Sequence, residues 1–181
     1  MKSVVLYGGK YGSAERYARE LAEKIDCPCF SYKEIKALGS YDRVIYLGSL
    51  YEQGVCGLKQ TMKRLARAGG AEFVLATVGL GDPTNKANTD CIKKSLRNQM
   101  SAWQYDQTKL YHLRGAFDYS KLGRGHRLMM RLLYGRLKKV PAEERSAQEK
   151  MIFKTYGQAV DYVDFSTLEP LISDLTRTGS P

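Results

Sequence analysis

Short apolar runs recur along the chain and predict buried strands. The first run contains Val4, Val5 and Leu6, and two similar runs cover residues 43–49 and 72–78. These runs are continuous rather than alternating, which is typical of strands that are covered on both faces of a sheet. A weaker run covers residues 29–32, and a longer one covers residues 107–117. The pattern therefore predicts five strands.

Segments with helical periodicity lie between these runs. Tyr17, Ala18, Leu21 and Ile25 recur at helical spacing after the first strand. Further helices are predicted at residues 57–68, 88–102 and 122–139, and Ser166 with Glu169 has the capping-box spacing of a last helix that ends near residue 176. Residues 140–163 show no clear pattern. The alternation predicts an α/β domain with a parallel sheet and helices on both faces.

Three glycine-bearing turns follow predicted strands, at residues 8–14, 48–54 and 78–82. In open parallel sheets, ligands bind beyond the carboxyl ends of the strands. We therefore expect the three turns to form one ligand site. Each turn taken alone also has the composition of an ordinary connection.

The first turn predicts an anion site. It joins a strand to a helix, whose first backbone N–H groups are unpaired and lie at the positive end of the helix dipole. Its glycines allow close approach of the backbone to a phosphate, and Lys10 adds a charge. The turn lacks the Gly-Lys-Ser/Thr ending of nucleotide triphosphatases, and its glycines do not have the dinucleotide-binding spacing.

The positive charge of the chain is concentrated in one segment. The 181 residues carry a net charge of +10. Nine cations and a single acid, Asp118, lie between Lys109 and Val140. An acidic partner is therefore expected, such as an anionic membrane surface or an acidic small molecule. No nucleic-acid motif is recognised, so nucleic acid is not an expected partner.

The four cysteines, at positions 27, 29, 56 and 91, lack the spacing of a zinc site or a Cys-x-x-Cys pair. We expect no metal and ordinary reduced thiols. The chain enters a strand at once without a signal-peptide pattern, and no run approaches the roughly 18 apolar residues of a membrane span. These features predict a cytoplasmic protein.

At the level of whole motifs, the chain resembles the flavodoxins. The resemblance rests on residues 4–7 with the phosphate-type turn, on Gly48-Ser49 with an aromatic residue two positions on, and on the third glycine turn. Residues 41–45 and the late arginine-rich helix resemble the branch that contains the menaquinone-dependent protoporphyrinogen oxidases. The resemblance implies a single domain over residues 1–181, with an insertion at about 118–160 and a five-stranded parallel sheet in the order 2-1-3-4-5.

The cofactor that this resemblance implies is FMN. The family holds the phosphate on the first turn and the isoalloxazine ring between the second and third turns. The implied cofactor-binding residues are Gly9, Lys10, Tyr11, Gly12, Ser13, Ala14, Ser49, Leu50, Tyr51, Gly54, Val78, Gly79, Leu80, Gly81 and Asp82. Tyr51 is the expected aromatic neighbour of the ring.

One departure from the family pattern concerns the phosphate turn. The family uses Ser and Thr hydroxyls there, whereas this chain has Gly8, Gly9 and Ala14, and only Ser13 keeps a hydroxyl. Losing several hydrogen bonds of about 1 kcal/mol each would weaken FMN by a decade or more. Backbone N–H groups and Lys10 remain, so we expect FMN to bind with lower affinity.

Three functions are compatible with these features. The first is a flavin oxidoreductase that oxidises a porphyrinogen-type substrate and passes electrons to a quinone. The second is an electron carrier between proteins, although such carriers tend to be acidic. The third is a flavodoxin-like module that has lost its flavin. Neither His112 nor His126 is expected to be catalytic.

The predicted helix at residues 122–139 is basic and amphipathic. Arg127, Arg131 and Lys138 share one face, whereas Met130, Leu133, Tyr134 and Leu137 share another. Such helices often lie on anionic membranes. We therefore expect Arg124, Arg127, Arg131 and Lys138 to contact a membrane or an acidic ligand, which would make the protein peripheral on the inner face of the membrane. The alternative is a helix packed on its own domain with its arginines in water.

Overall fold

Five parallel strands form the central sheet of the computed structural model, which describes residues 1–51 and 54–177 apart from the side chains of residues 147 and 148. In chain order the strands are β1 (Ser3–Gly8), β2 (Cys29–Ser31), β3 (Arg43–Tyr51), β4 (Gly54–Val55), β5 (Glu72–Gly79), β6 (Lys109–Arg114), β7 (Ala116–Asp118) and β8 (Ala159–Asp161). The sheet order is β2-β1-β3-β5-β6, with every neighbouring pair parallel. Counting only these five strands, the predicted order 2-1-3-4-5 is confirmed.

Helices cover both faces of this sheet. In chain order they are α1 (Ser13–Lys24), α2 (Leu58–Ala66), α3 (Lys86–Arg97), α4 (Ala102–Asp106), α5 (Arg124–Leu137), α6 (Ala147–Thr155) and α7 (Glu169–Arg177). Alternate strand residues point to opposite layers. Val5, Ile45 and Val74 pack with α1 and α7, whereas the neighbouring residues on each strand pack with α2 and α3.

The second glycine turn is partly a strand, which differs from the prediction. β3 continues to Tyr51 and pairs with the short antiparallel strand β4, with Leu50 opposite Val55 and Tyr51 opposite Gly54. The extension is stabilised by Gln99, whose side chain accepts a hydrogen bond from the Val55 backbone at 3.0 Å. Residues 52 and 53 of the predicted turn lie outside the described residues.

The predicted strand at residues 107–117 is wrong in its last part, because the chain leaves the sheet at Gly115. The Gly115 N–H donates to the Gly79 carbonyl at 2.8 Å, and its carbonyl accepts from Tyr162. A side chain at this position would meet Val78 at 3.0 Å and Ser13 at 3.3 Å. Residues 116–118 then pair antiparallel with β8 instead of continuing β6.

The segment between β7 and β8 is a small helical unit rather than an irregular loop. Ser146 and Glu149 form a capping box that starts α6, in the part of the sequence without a clear pattern. Tyr134 of α5 stacks on Tyr156 at 3.8 Å and on Phe153 of α6 at 5.0 Å between ring centroids. Local capping and aromatic packing thus organise residues that periodicity alone did not assign.

The last helix also begins differently from the prediction. Asp164 accepts the Ser166 N–H at 2.9 Å and starts a 3₁₀ turn at Phe165–Leu168, which leads into α7. Ser166 therefore does not act as the helix cap, because its hydroxyl donates to the Asp164 carboxylate.

The helix predicted at residues 88–102 is divided into α3 and α4. A second capping box, formed by Ser101 and Gln104, starts α4.

A partly buried ion pair joins the amino ends of three strands. The Arg43 Nε atom lies 2.7 Å from a Glu72 oxygen, and the Lys109 ammonium lies 3.2 Å from the other. Burial alone would raise the pKa of Glu72, but hydrogen bonds and charge from Arg43 and Lys109 outweigh it and lower the pKa. A lowered pKa means that folding stabilises the ionised carboxylate.

We predict that Glu72→Gln lowers the free energy of unfolding by about 1–3 kcal/mol at neutral pH, because it removes the carboxylate charge that binds both Arg43 and Lys109. The difference should be complete above the unfolded-state pKa of about 4.3 and should vanish as the pH falls through the lower folded-state value. Urea denaturation at neutral and acidic pH measures it. Asp90→Asn, which breaks the exposed Lys86–Asp90 pair, is the control and should change stability little. An equal deficit for Glu72→Gln in strong acid would contradict the assignment.

Candidate functional site

The three glycine-bearing segments meet at the carboxyl edge of the sheet. Gly8 is paired with Gly48, and Gly48 with Thr77, so β1, β3 and β5 end side by side. The segments that follow each strand are therefore neighbours in space. This shared edge is the candidate functional site.

The first segment offers unpaired backbone donors. Gly12 has a φ of 85° and precedes α1 as its N-cap residue, with no side-chain capping hydrogen bond. Arg16 donates the first hydrogen bond of the helix, to the Gly12 carbonyl at 2.9 Å. The N–H groups of Ser13, Ala14 and Glu15 thus precede the helical ladder and are available for an anion.

The Ser13 hydroxyl is not available for a phosphate. It accepts the Ala116 N–H at 2.8 Å and contacts the Ala116 carbonyl at 3.3 Å, while the residue is 5% exposed. Ala14 is fully buried against the core. The only serine or threonine hydroxyl in this loop therefore holds the point where the chain leaves the sheet, and a phosphate here would depend on backbone N–H groups and Lys10.

The second segment lies against the first through Tyr51. Its hydroxyl accepts the Lys10 N–H at 2.8 Å, and its ring lies edge-to-face with Tyr11 at a centroid distance of 6.5 Å. Burial raises the pKa of Tyr51 to about 12, so its hydroxyl stays protonated. The structure thus brings Lys10, Tyr11 and Tyr51 together, as the sequence predicts for one site.

Other members of the second segment take part in packing. The Ser49 side chain lies next to Gly9, where an added Cβ would come within 2.6 Å of its hydroxyl oxygen. Gly54 has a φ of 104° and is buried against the Gln99 side chain. Gly54 therefore allows the β3–β4 hairpin to form rather than facing the edge.

The third segment, residues 78–82, presents backbone groups rather than side chains to the candidate site. Val78 points into the core, and Gly79 packs on Leu50, where an added Cβ would approach to 2.8 Å. Gly81 lies beside Asn88. The Asp82 carboxylate accepts hydrogen bonds from the Thr84 hydroxyl and N–H, which hold its pKa below the usual range. Asp82 therefore stabilises its own turn.

Arg114 is a site residue that the sequence pattern did not identify. It ends β6 opposite Gly79, and its guanidinium donates to the Leu80 carbonyl at 3.4 Å and lies 3.8 Å over the Tyr162 ring. Its Nε atom is buried and has no hydrogen-bond partner among the described residues. A buried donor without an acceptor costs free energy, which suggests that a ligand oxygen belongs nearby.

His126 is a second residue that sequence reasoning set aside. It lies in the first turn of α5, yet its Nδ1 is 3.1 Å from the Tyr11 hydroxyl and its Nε2 is 3.5 Å from the Lys10 ammonium. Phe117 of the β7–β8 ribbon also packs on Tyr11 at 6.2 Å. The late insertion therefore contacts the first segment directly, and 115 residues of sequence separation concealed this contact.

The four predicted contact cations of α5 have different surroundings. The Arg127 guanidinium donates to the Ser120 and Leu122 carbonyls at 3.0 and 3.3 Å, so it holds the turn before the helix. Lys138 lies 5.0 Å over the Tyr134 ring. Arg124 and Arg131 are exposed. Within the described part of the chain, Arg124 and Arg131 make no hydrogen bond or ring contact of this kind.

The edge suits a phosphate ester that carries a flat ring. The N–H groups at α1 and Lys10 provide an anion site, and Tyr51, Leu50 and the 79–81 main chain border the space beside it. A cavity of about 390 Å³ lies elsewhere, along residues 30–41. Across the described ranges, no group of three metal-ligating side chains occurs, and no described helix is long and apolar enough to cross a membrane.

Comparison with known proteins identifies the family of the chain. A family model described as the flavodoxin domain matches residues 4–143. No curated protein matches the chain in sequence.

Two solved structures illustrate the more distant similarity. An archaeal flavodoxin is 15% identical, with 62% of this chain and 85% of that chain covered and a TM-score of 0.42. A mutant flavodoxin of Fusobacterium nucleatum bound to flavin mononucleotide is 16% identical, with 67% and 72% covered and a TM-score of 0.38. Because both scores are low, the fold assignment rests on the strand order and the family match.

We predict that Ser13→Ala destabilises the protein by about 1–3 kcal/mol, because the partly buried Ala116 N–H loses its acceptor. Urea denaturation measures the loss. Ser40→Ala, at an exposed hydroxyl, should leave stability within about 0.5 kcal/mol of the wild type. Equal stability of the two variants would show that the Ser13–Ala116 contact does not hold the end of the sheet.

Proposed function

The chain belongs to the flavodoxin domain family, and from this premise we propose that it binds FMN and acts as a redox protein. The observation that carries the proposal is the meeting of three segments at the carboxyl ends of β1, β3 and β5, where the free N–H groups of α1 lie beside Lys10 and Tyr51. This edge is where open parallel sheets bind their ligands.

Each segment of the edge has a proposed role. The N–H groups of Ser13, Ala14 and Glu15 and the Lys10 ammonium hold the phosphate. Tyr51 and the 79–81 main chain flank the ring, and Arg114 donates to one of its oxygen atoms. Because the Ser13 hydroxyl is used by Ala116, phosphate affinity depends on backbone donors and charge. We therefore expect weaker binding than a hydroxyl-rich loop would give.

In the proposed reaction, the protein positions the flavin and provides the electrostatic environment around it. Bound flavin supplies the transfer of electrons singly or in pairs, and such chemistry needs no acid–base pair from the protein. Tyr51 keeps its proton because burial raises its pKa to about 12, and it donates or accepts hydrogen bonds without becoming charged. The Tyr11 ring packs edge-to-face on the Tyr51 and Phe117 rings and so fixes their positions beside the first segment.

As the more specific reaction, we propose oxidation of a porphyrinogen-type substrate with a quinone as the acceptor. Each pair of electrons and protons taken from the donor reduces one quinone to the quinol. The support is the resemblance of residues 41–45 and of the arginine-rich insertion. Arginines such as Arg124 and Arg131 suit a substrate with carboxylates. The alternative, an electron carrier between proteins, is disfavoured by the net charge of +10.

A quinone acceptor bears on where in the cell the protein works. Quinones dissolve in the bilayer, so a chain whose described helices include no membrane span would have to work from the membrane surface. We therefore propose a peripheral protein on the inner face of the membrane.

We predict that the purified protein is yellow and that Gly12→Val weakens FMN about tenfold or more. A β-branched residue is strained at a φ of 85°, and its side chain would project at the start of α1, where the phosphate binds. Fluorescence titration of apoprotein measures the affinity. Gly39→Val, at an exposed glycine without close neighbours, is the matched control and should bind FMN like the wild type. A colourless protein that ignores added FMN would overturn the proposal.

Turnover separates the enzyme from the carrier. We expect the holoprotein to oxidise a porphyrinogen when a menaquinone analogue is added and to stop when the analogue is omitted. Porphyrin fluorescence follows the product. Reduction by a flavodoxin reductase without porphyrinogen oxidation would support the carrier instead.

A further inference from the structure

The inner side of α5 is occupied by the protein itself. Leu137 is fully buried, and Tyr134 stacks on Tyr156 and Phe153. Met130 and Leu133 are half-buried on the same side. These residues form the apolar face of the amphipathic helix that the sequence predicted to lie on a membrane. Because the protein itself covers this face, it is not available for a partner. The orientation of the helix is fixed by these contacts.

The outer side of α5 is unexpectedly apolar. Leu128 is 57% exposed, Met129 45% and Leu132 67%. Among the described residues, the other exposed large hydrophobic side chains are Met1, Phe30 and Trp103, which lie on separate elements. Leu128 and Leu132 are one helical turn apart and are therefore neighbours on the surface. We call these three residues the outer apolar patch.

Cations surround the outer apolar patch. Arg124 lies one turn before Leu128, and Arg136 lies one turn after Leu132, so the row of residues spaced by four begins and ends with an arginine. Arg131 and Lys139 are also exposed at its border. The sequence contains no acidic residue between positions 119 and 142.

Among the described residues, Arg124, Arg131, Arg136 and Lys139 form no ion pair, although the charge of Arg136 contributes to lowering the pKa of Glu149. Basic residues elsewhere have partners, as Arg19 does with Glu15 and Lys86 with Asp90. A cationic rim that forms no ion pair in the described part of the chain, around exposed leucines, suits a partner that is both anionic and apolar.

An anionic bilayer meets both requirements. We propose that the outer apolar patch and its cationic rim dock α5 flat on the surface of an anionic lipid bilayer. Phosphates of the headgroups neutralise the rim, and the leucines enter the acyl boundary. A second copy of the chain would bring like charges together, and nucleic acid would leave the leucines exposed to water.

The docking face lies next to the candidate cofactor site. His126, in the first turn of α5, contacts Tyr11 and Lys10 of the first segment, while Leu128 in the next turn faces outward. Docking would therefore hold the carboxyl edge of the sheet near the headgroups. The inference identifies the surface for the peripheral location proposed above, and its link to a quinone rests on that proposed function.

Co-sedimentation of the full chain with phosphatidylcholine vesicles of increasing phosphatidylglycerol content tests the proposal. Wild-type binding should rise with phosphatidylglycerol and fall at high salt, since exposed charges are screened. Leu128→Ser/Leu132→Ser should lower the partition coefficient about tenfold or more, because the exposed leucines no longer enter the bilayer. Arg124→Gln/Arg136→Gln should weaken binding and reduce its dependence on lipid charge.

Two controls keep the outcome specific. Lys59→Gln/Lys63→Gln removes the same net charge from exposed positions of α2, and Trp103→Ser removes an exposed apolar side chain from α4. Both should bind vesicles like the wild type, and circular dichroism should show that every variant is folded. The proposal is overturned if lipid charge has no effect, if the leucine variant binds normally, or if the protein dimerises through α5 instead.

The visible spectrum of the protein tests the FMN proposal independently of vesicle binding. If the protein is colourless but binds vesicles through α5, the FMN proposal is wrong and the docking proposal stands. If the protein is yellow but does not bind anionic vesicles, only the docking proposal is wrong.

Discussion

The structure depends on the burial of three adjacent strands from both sides. β1, β3 and β5 contribute alternate residues to two hydrophobic layers, so their register is fixed by both layers at once. A slip by one residue would exchange the two sets of side chains. Because the register is fixed, the three strands end side by side. The segments that follow them therefore lie together at the carboxyl edge of the sheet.

A second constraint decides what covers this edge. The close packing of Gly115 on Val78 and Ser13 ends β6 and turns the chain into the β7–β8 ribbon. The Ser13 hydroxyl, which a phosphate loop would use for its ligand, binds Ala116 at this turn. The loop thus gives up a ligand contact to hold the insertion, and the insertion brings His126 and Phe117 onto Tyr11. This one hydroxyl therefore contributes to the stability of the insertion and is not available to the proposed phosphate site.

The cations of the central fold and those of the insertion differ in their surroundings. The ion pairs of α1 and α3 and the pair between Arg43 and Glu72 neutralise cations within the fold. Residues 119–142 of the insertion contain cations and no acidic residue, and Tyr134 packs inward on Phe153 of α6. This surface is the one that we propose for contact with a bilayer, whereas the sheet and its covering helices form a closely packed scaffold.

The sequence by itself determined the alternation of strands and helices, the parallel sheet and the three glycine-bearing segments, because continuous apolar runs and helical periodicity are local signals. It also located the cationic segment. Tertiary structure decided which face of α5 is buried, since Leu128 and Leu133 are equally apolar and only packing of Tyr134 on Tyr156 and Phe153 distinguishes their sides. It likewise decided that Ser13 binds Ala116 and that His126 reaches Tyr11, because contacts between residues over 100 positions apart leave no trace in local periodicity.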